Sequence, residues 1–514
     1  MAEFFGIDIG TSHIKVVVFD TDIGRVIHCI SKPTPCHHFH SGWSEHDPDE
    51  LWKCVCDCLI TAANRFNPIA IGISSLAEAG VALDRNRHPI YPMIAWFDRR
   101  TEPQTQWIES HLSHEEIHRI TGQLINPSFS LLKLKWLQDH IPDFKDNFDL
   151  WLSIPDFIHW KLTGAKPITD YSVASRTLLF DQQLKSWSPE LLKLIDISTS
   201  QLPEIAPSGT ISGYLSSDSA KLTGLPKGLP VVLGGHDHLC AAFACGATKP
   251  GIAVDSSGSS SSIIFLLNQF VSNQQIVNHG YACYHYLEPE SFLLKAGLKS
   301  SGSAIQWLMQ VANCLNVSNH KPDFKEFEAA AEKTIGKMAG PLWLPHLMGS
   351  GTPEGDRFSL GAVVGLSSSH TLPDLYRGLL ESLGCWCRQN LEVMQLLTQH
   401  NIGKLILTGG VHSSNLICNI KANLLCTSVY RPQIPESAAV GAALIAAIGV
   451  GCLPGFHNAP DCLDYPIEQF DPDSQLETWY EDIYKKCYLS LYPALQNTHR
   501  VIQGMNANLL GRKN

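Results

Sequence analysis

No Lys/Arg block interrupts this chain of 514 residues; charged side chains make up only 17% of it, and its net charge is −11. A surface that follows nucleic-acid phosphates needs clustered positive charge, so nucleic acid is not an expected partner. No basic stretch precedes an apolar one at Met1-Ala2-Glu3-Phe4, so no signal peptide is readable and a cytoplasmic location is expected. Long hydrophobic runs are missing too. The longest small-apolar run, Ala438 to Val450, is too short and too glycine-rich to span a bilayer, and reads as a buried helix, so no membrane association is expected. Sixteen cysteines are present, yet none shows paired CxxC spacing, which predicts free thiols and no zinc cage. Cys54, Cys56 and Cys58 follow a helix start at Asp47-Pro48-Asp49-Glu50, which puts Cys54 and Cys58 on one face and Cys56 on another. Cys36-His37-His38-Phe39-His40 has metal-compatible side chains in a loop, without ligand spacing. The common nucleotide signatures are absent as well: there is no G-x-x-x-x-G-K-[ST], and no G-x-G-x-x-G after a strand.

What is present is ample core material, 44% hydrophobic residues, in a chain long enough for two large domains. Phe4 to Ile9 and Ile14 to Phe19 are β-rich runs around the turn Gly10-Thr11-Ser12-His13. Further strands are expected at Ala70–Ser74, Val81–Asp84 and Pro230–Gly235, with a mostly helical stretch from Glu102 to Ile195, where Leu131, Leu134, Trp136 and Leu137 have helical spacing. The latter half repeats this outline: strand-turn-strand around Gly258, then a buried strand at Lys404–Thr408 ending in Gly409-Gly410. A weak duplication of α/β halves predicts two similar lobes around a central cleft. The expected divisions are 1–246, 247–455 and a helical extension, 456–514, with an amphipathic helix around Trp479 to Leu491.

Three turns carry candidate chemistry. Gly6-Ile7-Asp8-Ile9-Gly10-Thr11-Ser12 puts an acid at a strand end and a glycine-hydroxyl turn beyond it. Backbone N–H groups there can cradle an anion and Asp8 can hold a hydrated Mg²⁺, although an ordinary β-turn with a capping Asp explains the same residues. Asp255-Ser256-Ser257-Gly258-Ser259-Ser260 repeats the logic in the second half, with flexible polar surface as its alternative. Leu407-Thr408-Gly409-Gly410 opens a strand into paired glycines that let a nucleotide approach the backbone.

With Gly42-Trp43-Ser44-Glu45, Trp96-Phe97-Asp98-Arg99-Arg100-Thr101, Pro155-Asp156-Phe157, Leu162-Thr163-Gly164 and Gly235-His236-Asp237-His238, these turns resemble the FGGY carbohydrate kinases from Phe4 to about Gly451. The resemblance implies two ribonuclease-H-like lobes of the actin-like ATPase type, with ATP and Mg²⁺ in the cleft and a small sugar or polyol as acceptor; it leaves a homodimer open. By position, Asp237 resembles the catalytic base and Asp8 the metal-associated acid. Thr11, Ser12, Gly258 and Ser259 match the phosphate turns, Gly409 and Gly410 the nucleotide contact, and His238 neighbours the acceptor. A carboxylate capping the helix Leu239 to Cys245 is the alternative reading of Asp237.

Ser75-Leu76-Ala77-Glu78 aligns with the block where glycerol kinases carry Asn-Gln-Arg-Glu. Glu78 therefore resembles a polyol-binding acid, and Trp96 a pocket wall. Ala77 replaces the Arg, and Ser128 stands where a Tyr is usual, which predicts an enlarged pocket and a longer acceptor such as a ketopentose or pentitol. Pairing of Glu78 with a neighbouring Arg such as Arg99 is the alternative. A kinase for a sugar acid or glycerol-like polyol, or a sensor of the same fold without turnover, also stays open; a sensor would not need both Asp8 and Asp237. One decoy remains. His114-Glu115-Glu116-Ile117-His118 fits the zinc pattern H-E-x-x-H, but Ser113 to Glu116 is equally a capping box, and no third ligand stands at a recognised spacing.

Overall fold

The computed structural model describes residues 2–39, 42–315, 324–337 and 340–511, so Met1 and His40, both named above, lie outside the described residues. Strands β1 (Glu3–Ile9), β2 (His13–Asp20) and β3 (Arg25–Pro33) form an antiparallel meander, and α1 (Pro48–Ala63) leads on to β4 (Ile71–Ser75). Asp47 sets the start of α1, where its carboxylate accepts from the N–H groups of Asp49 and Glu50. Leu51, Val55 and Leu59, with Cys54 and Cys58, bury one face of α1 against the sheet, while Cys56 is buried outside that cluster. After α2 (His114–Thr121), β5 (Ile211–Tyr214) and β6 (Pro230–His236) complete a sheet of order β5-β6-β4-β1-β2-β3, in which β1, β4 and β6 are parallel.

Helix α3 (Asp237–Ala244) leads to the second sheet, built from β7 (Ile252–Ser257), β8 (Ser261–Leu267), β9 (Ala282–His285), β10 (Phe292–Leu298), β11 (Lys404–Thr408), β12 (Val429–Pro432) and β13 (Ile467–Phe470). Its helices include α4 (Gly302–Leu315), α5 (Leu372–Thr398), α6 (Asn415–Leu425), α7 (Ser437–Gly449) and α8 (Leu489–Gly511). The order is β9-β10-β8-β7-β11-β12-β13. Apart from β9, this copies the first sheet: a three-strand meander, two further strands parallel to its first, then an antiparallel edge. The duplication expected from the two glycine turns is thus a duplication of topology.

Two features depart from the sequence reading. The C-terminal helical segment runs past Leu491 to Gly511, through a π-helical stretch at Ile483–Tyr488 and past Pro493. Beyond Leu491 the helix is held by Tyr492 and Leu495, which pack against the second core, and by the buried His499, whose ring accepts from the Leu360 N–H at 3.2 Å. Helix α7, although it belongs to the C-terminal half, lies against β1, β4 and β6 of the first sheet. The strands are bare where it crosses them. A Cβ on Gly6 would stand 1.9 Å from the Ala439 carbonyl oxygen, and one on Gly72 would stand 2.0 Å from that of Ala442. Gly441 makes the matching approach to α3, with 2.1 Å to the Cys240 oxygen. The core around α7 joins Phe4, Val17 and Val232 of one sheet to Val254, Ile264 and Ile406 of the other.

All sixteen cysteines are unpaired, and no helix among the described residues is long and apolar enough to cross a membrane. Gly441→Ala is expected to lower the thermal unfolding midpoint, because overpacking a tight contact costs about 1–3 kcal/mol. Gly504→Ala, on an exposed face of α8 with nothing within 4 Å of the added methyl, should leave the midpoint unchanged or raise it. Equal midpoints for the two variants would contradict the close packing of α7.

Candidate active site

Parallel strands carry their carboxyl ends to one edge of a sheet, and ligands bind in the crevice outside that edge. In the first sheet Asp8 pairs in register with Ser74, and Ser75 with both Ile9 and His236. Three segments therefore converge: Asp8–Gly10, Ser75–Glu78 and His236–Asp237. The Asp8 carboxylate accepts a hydrogen bond from the Ser74 hydroxyl at 3.0 Å. Burial, then the charge of Asp237, pushes the Asp8 carboxyl up to about 7, against the pull of Ser74 and Lys15. The Lys15 ammonium is itself engaged by Glu436 at 2.5 Å. Asp8 is thus a carboxylate short of counter-charge, a setting that fits a divalent cation.

Asp237 opens α3 directly after β6. The approach to it is fixed by Gly235, whose φ is 155° and whose added Cβ would meet Leu287 at 2.4 Å and the Ser172 hydroxyl at 2.8 Å. That hydroxyl accepts from the His236 N–H at 2.9 Å and donates to Asp170. The Asp237 Oδ1 accepts from the His238 N–H at 2.6 Å and lies 3.3 Å from the His236 Nε2. Burial pushes the His236 imidazole down to about 3, so it is neutral at ordinary pH. His238 is exposed.

Glu78 is paired with Arg176, at 2.8 Å from Nε and 2.5 Å from Nη2, and Arg99 instead meets Glu102. The alternative reading of Glu78, that it pairs with an Arg, holds in kind, but the partner is Arg176, 98 positions away, and not the neighbouring Arg99. Burial pushes the Glu78 carboxyl up, but the charge of Arg176 outweighs it and holds the group well below the usual carboxylate range. Arg176 also donates to Gln123 at 3.0 Å and lies over the rings of Phe129 and Tyr284. Ala77 and Ser128 are both buried, and the Lys133 ammonium donates to the carbonyls of Glu78 and Ile94, each at 3.0 Å. Trp96 is 40% exposed, and its indole N–H donates to the Thr11 hydroxyl at 2.8 Å, tying this ring to the first turn.

The second sheet repeats the strand-end turns. Gly258 and Ser259 are exposed, and their carbonyls accept from the N–H groups of Gly302 and Ser301 at the start of α4, at 2.9 and 3.0 Å. Gly409 adopts φ 89°, and a Cβ there would stand 2.5 Å from the Ser257 oxygen, so only glycine fits. Nothing lies within 4 Å of the corresponding point on Gly410. Behind these turns the Lys421 ammonium bridges Asp255 at 2.5 Å and His412 at 2.7 Å.

The other metal-compatible motifs have structural explanations. Helix α2 begins with the capping box of Ser113 and Glu116; His118 is buried, with its ring nitrogens on the Ser272 hydroxyl and the Tyr281 carbonyl, while His114 is exposed beside Glu109. His37 and His38 meet Glu50 and Ser44. Among the described residues, His236, Asp237 and His238 form the one close group of three metal-capable side chains.

Residues 4–244 match the N-terminal domain of the FGGY family of carbohydrate kinases, and residues 253–450 match its C-terminal domain. Curated relatives include a glycerol kinase of Saccharolobus islandicus, 29% identical over 454 residues that cover 87% of both chains. A glycerol kinase of Ralstonia nicotianae is 30% identical over 467 residues, 88% of this chain and 90% of that one. Among solved structures, xylulose kinase from Rhodospirillum rubrum superposes with a TM-score of 0.88 at 25% identity, covering 97% of this chain and 100% of that one. The matched domains and the fold define an ATP-dependent phosphotransferase with the two ribonuclease-H-like lobes of the actin-like ATPases. The chain belongs to the FGGY family of carbohydrate kinases.

Sequence reasoning singled out Asp8, Glu78, Trp96 and Asp237 but missed Arg176 and Ser172. A lone Arg between Val173-Ala174 and Leu178-Leu179-Phe180 was the available signal. Arg176→Met should destabilise the protein by about 3–5 kcal/mol at neutral pH, because it leaves a buried carboxylate unpaired. In wild type the depressed Glu78 contributes stability that is lost as pH falls. In the variant, burial raises the Glu78 carboxyl against the weaker pull of Lys295, a penalty relieved by protonation at low pH. The midpoint gap between the two proteins should therefore shrink from pH 7 to pH 5, and a gap that widens would contradict the pairing.

Proposed function

We propose that this kinase transfers the γ-phosphoryl group of ATP to a terminal hydroxyl of a five-carbon ketose or polyol, with Asp237 as base and Mg²⁺ held through Asp8. The observation that carries this reading is the placement of Asp8 and Asp237 at neighbouring strand ends, with the Glu78–Arg176 pair in the same crevice. His236 and His238 engage Asp237 Oδ1, leaving Oδ2 for the acceptor. As the hydroxyl oxygen attacks the γ-phosphorus, its proton passes to the Asp237 carboxylate, the bond to the β–γ bridging oxygen breaks, and ADP leaves. Backbone N–H groups of the turns at Gly10–Ser12 and Gly258–Ser259 hold phosphate oxygens, and Gly409 and Gly410 leave room for the nucleotide. A bound Mg²⁺ neutralises phosphate charge. The bond from Trp96 to Thr11 couples the acceptor wall to the phosphate turn, so that closure over both substrates excludes water.

The names of the curated relatives suggest glycerol as acceptor. Ala77 and Ser128 favour a longer chain, which reaches the Glu78–Arg176 pair while presenting its terminal hydroxyl to Asp237. A short acceptor leaves polar groups unpaired at about 1–3 kcal/mol each, so glycerol should have a kcat/KM lower by about tenfold or more. Comparing kcat/KM for glycerol, ketopentoses and pentitols tests this, and glycerol as the best acceptor would overturn it. Asp237→Asn should reduce kcat by about 10²–10⁴-fold with nucleotide binding and folding near normal. Near wild-type turnover in that variant would remove Asp237 from the mechanism.

A further inference from the structure

Strand β6 delivers Asp237 to the crevice, yet the sheet alone does not hold its last residues. Strand β5 pairs with Pro230, Val231 and Val232, and among the described residues no strand flanks that edge of β6 further on. On the other edge the register against β4 shifts between Leu233 and Gly235. Such a bulge bends a strand and re-aims the side chains that follow it. The direction of Asp237 is therefore set by a contact from outside the sheet.

Residues 170–176 provide that contact. The Ser172 hydroxyl accepts from the His236 N–H at 2.9 Å. A hydroxyl has a single proton, and Ser172 gives it to Asp170 Oδ1, which turns the oxygen lone pairs toward His236. Asp170 is fixed in turn by the N–H groups of Ser172 at 2.8 Å and Val173 at 3.2 Å, as the cap of the helical turn Tyr171–Ala174. Asp170, Ser172 and His236 are all buried, so solvent does not replace these bonds. Four residues after Ser172, Arg176 holds Glu78. One turn thus clamps both the acid on the acceptor side and the strand end that precedes Asp237.

We infer that Ser172, oriented by Asp170, is a positioning residue for Asp237: it holds the His236 peptide so that the carboxylate one residue on meets the attacking hydroxyl. This deepens the proposed function and rests on its assignment of Asp237 as the base. A residue of this kind touches neither substrate, so its loss appears in turnover and not in binding. Misplacing a reacting group by about 1 Å costs about 10²-fold in rate. The rival is a role in folding alone, since removing the hydroxyl leaves the buried His236 N–H without an acceptor. A folding role does not depend on whether the base is present.

The test is a double-mutant cycle on the full-length protein: wild type, Ser172→Ala, Asp237→Asn and the two changes together. Turnover is measured with ATP, Mg²⁺ and the ketopentose or pentitol that wild type uses best. Ser172→Ala should lower kcat by about ten- to a hundredfold, with KM for ATP and for the acceptor within about twofold of wild type. In the Asp237→Asn background the same change should cost less than about twofold, because nothing is left for Ser172 to position. Asp170→Asn keeps an accepting oxygen but removes the charge that orients the hydroxyl, and should give a smaller loss of the same kind. It serves as the test if Ser172→Ala does not fold. Wild-type kcat in either variant, an equal loss with and without Asp237, or a raised KM with kcat unchanged would overturn the inference. Turnover indifferent to Asp237→Asn itself is a separate result, which would remove the base assignment on which the inference rests.

Discussion

The contact on which the rest of the structure depends is the seating of α7 on the first sheet. Gly6, Gly72 and Gly441 together remove the side chains that would hold the helix off β1, β4 and α3. The helix contributes its own small residues, Ala439, Ala442, Ala443 and Ala446, to the same surface. Two sheets folded from opposite halves of the chain are thereby held on one core. The strand ends that carry Asp8 and Asp237 are positioned by the same contact. Glu436, just before α7, takes φ 50° and meets Lys15, so the start of the helix lies next to the strand that follows the Gly10–Ser12 turn.

The duplicated topology makes the two lobes comparable position by position, and the comparison separates their roles. Asp8 and Asp255 stand near the ends of equivalent strands, each before a glycine turn. Asp255 is fully buried, and although burial pushes its carboxyl up, Lys421 and His412 hold it below the usual range. With Lys421 bridging to His412, it braces the Gly409–Ser413 turn against β7. Asp8 has no such lysine, because Lys15 is taken by Glu436. One copy is closed electrostatically by Lys421, whereas beside the other the lysine is paired with Glu436.

The parts legible in the sequence were those written in short, contiguous patterns. The strand-turn-strand units at Gly10 and Gly258, the Gly409-Gly410 opening and the small-residue helix at Ala438 all depend on residues within a few positions of one another. The Glu78 partner was not legible that way. Local sequence offered Arg99, yet three-dimensional packing brings Arg176 across 98 positions, and Arg99 is occupied by the glutamate three residues on. The C-terminal helix outran its predicted end because contacts of Tyr492, Leu495 and His499 with distant residues hold turns that local spacing does not mark.

The central claim is that one crevice transfers a phosphoryl group from ATP to a carbohydrate hydroxyl, with water excluded. ³¹P NMR of the wild-type protein with ATP, Mg²⁺ and a panel of five-carbon acceptors tests it most directly. The account predicts a phosphomonoester resonance growing in step with ADP, one for one, with no inorganic phosphate. ADP appearing with inorganic phosphate and without a phosphomonoester, or no ADP with any acceptor of that length, would contradict it.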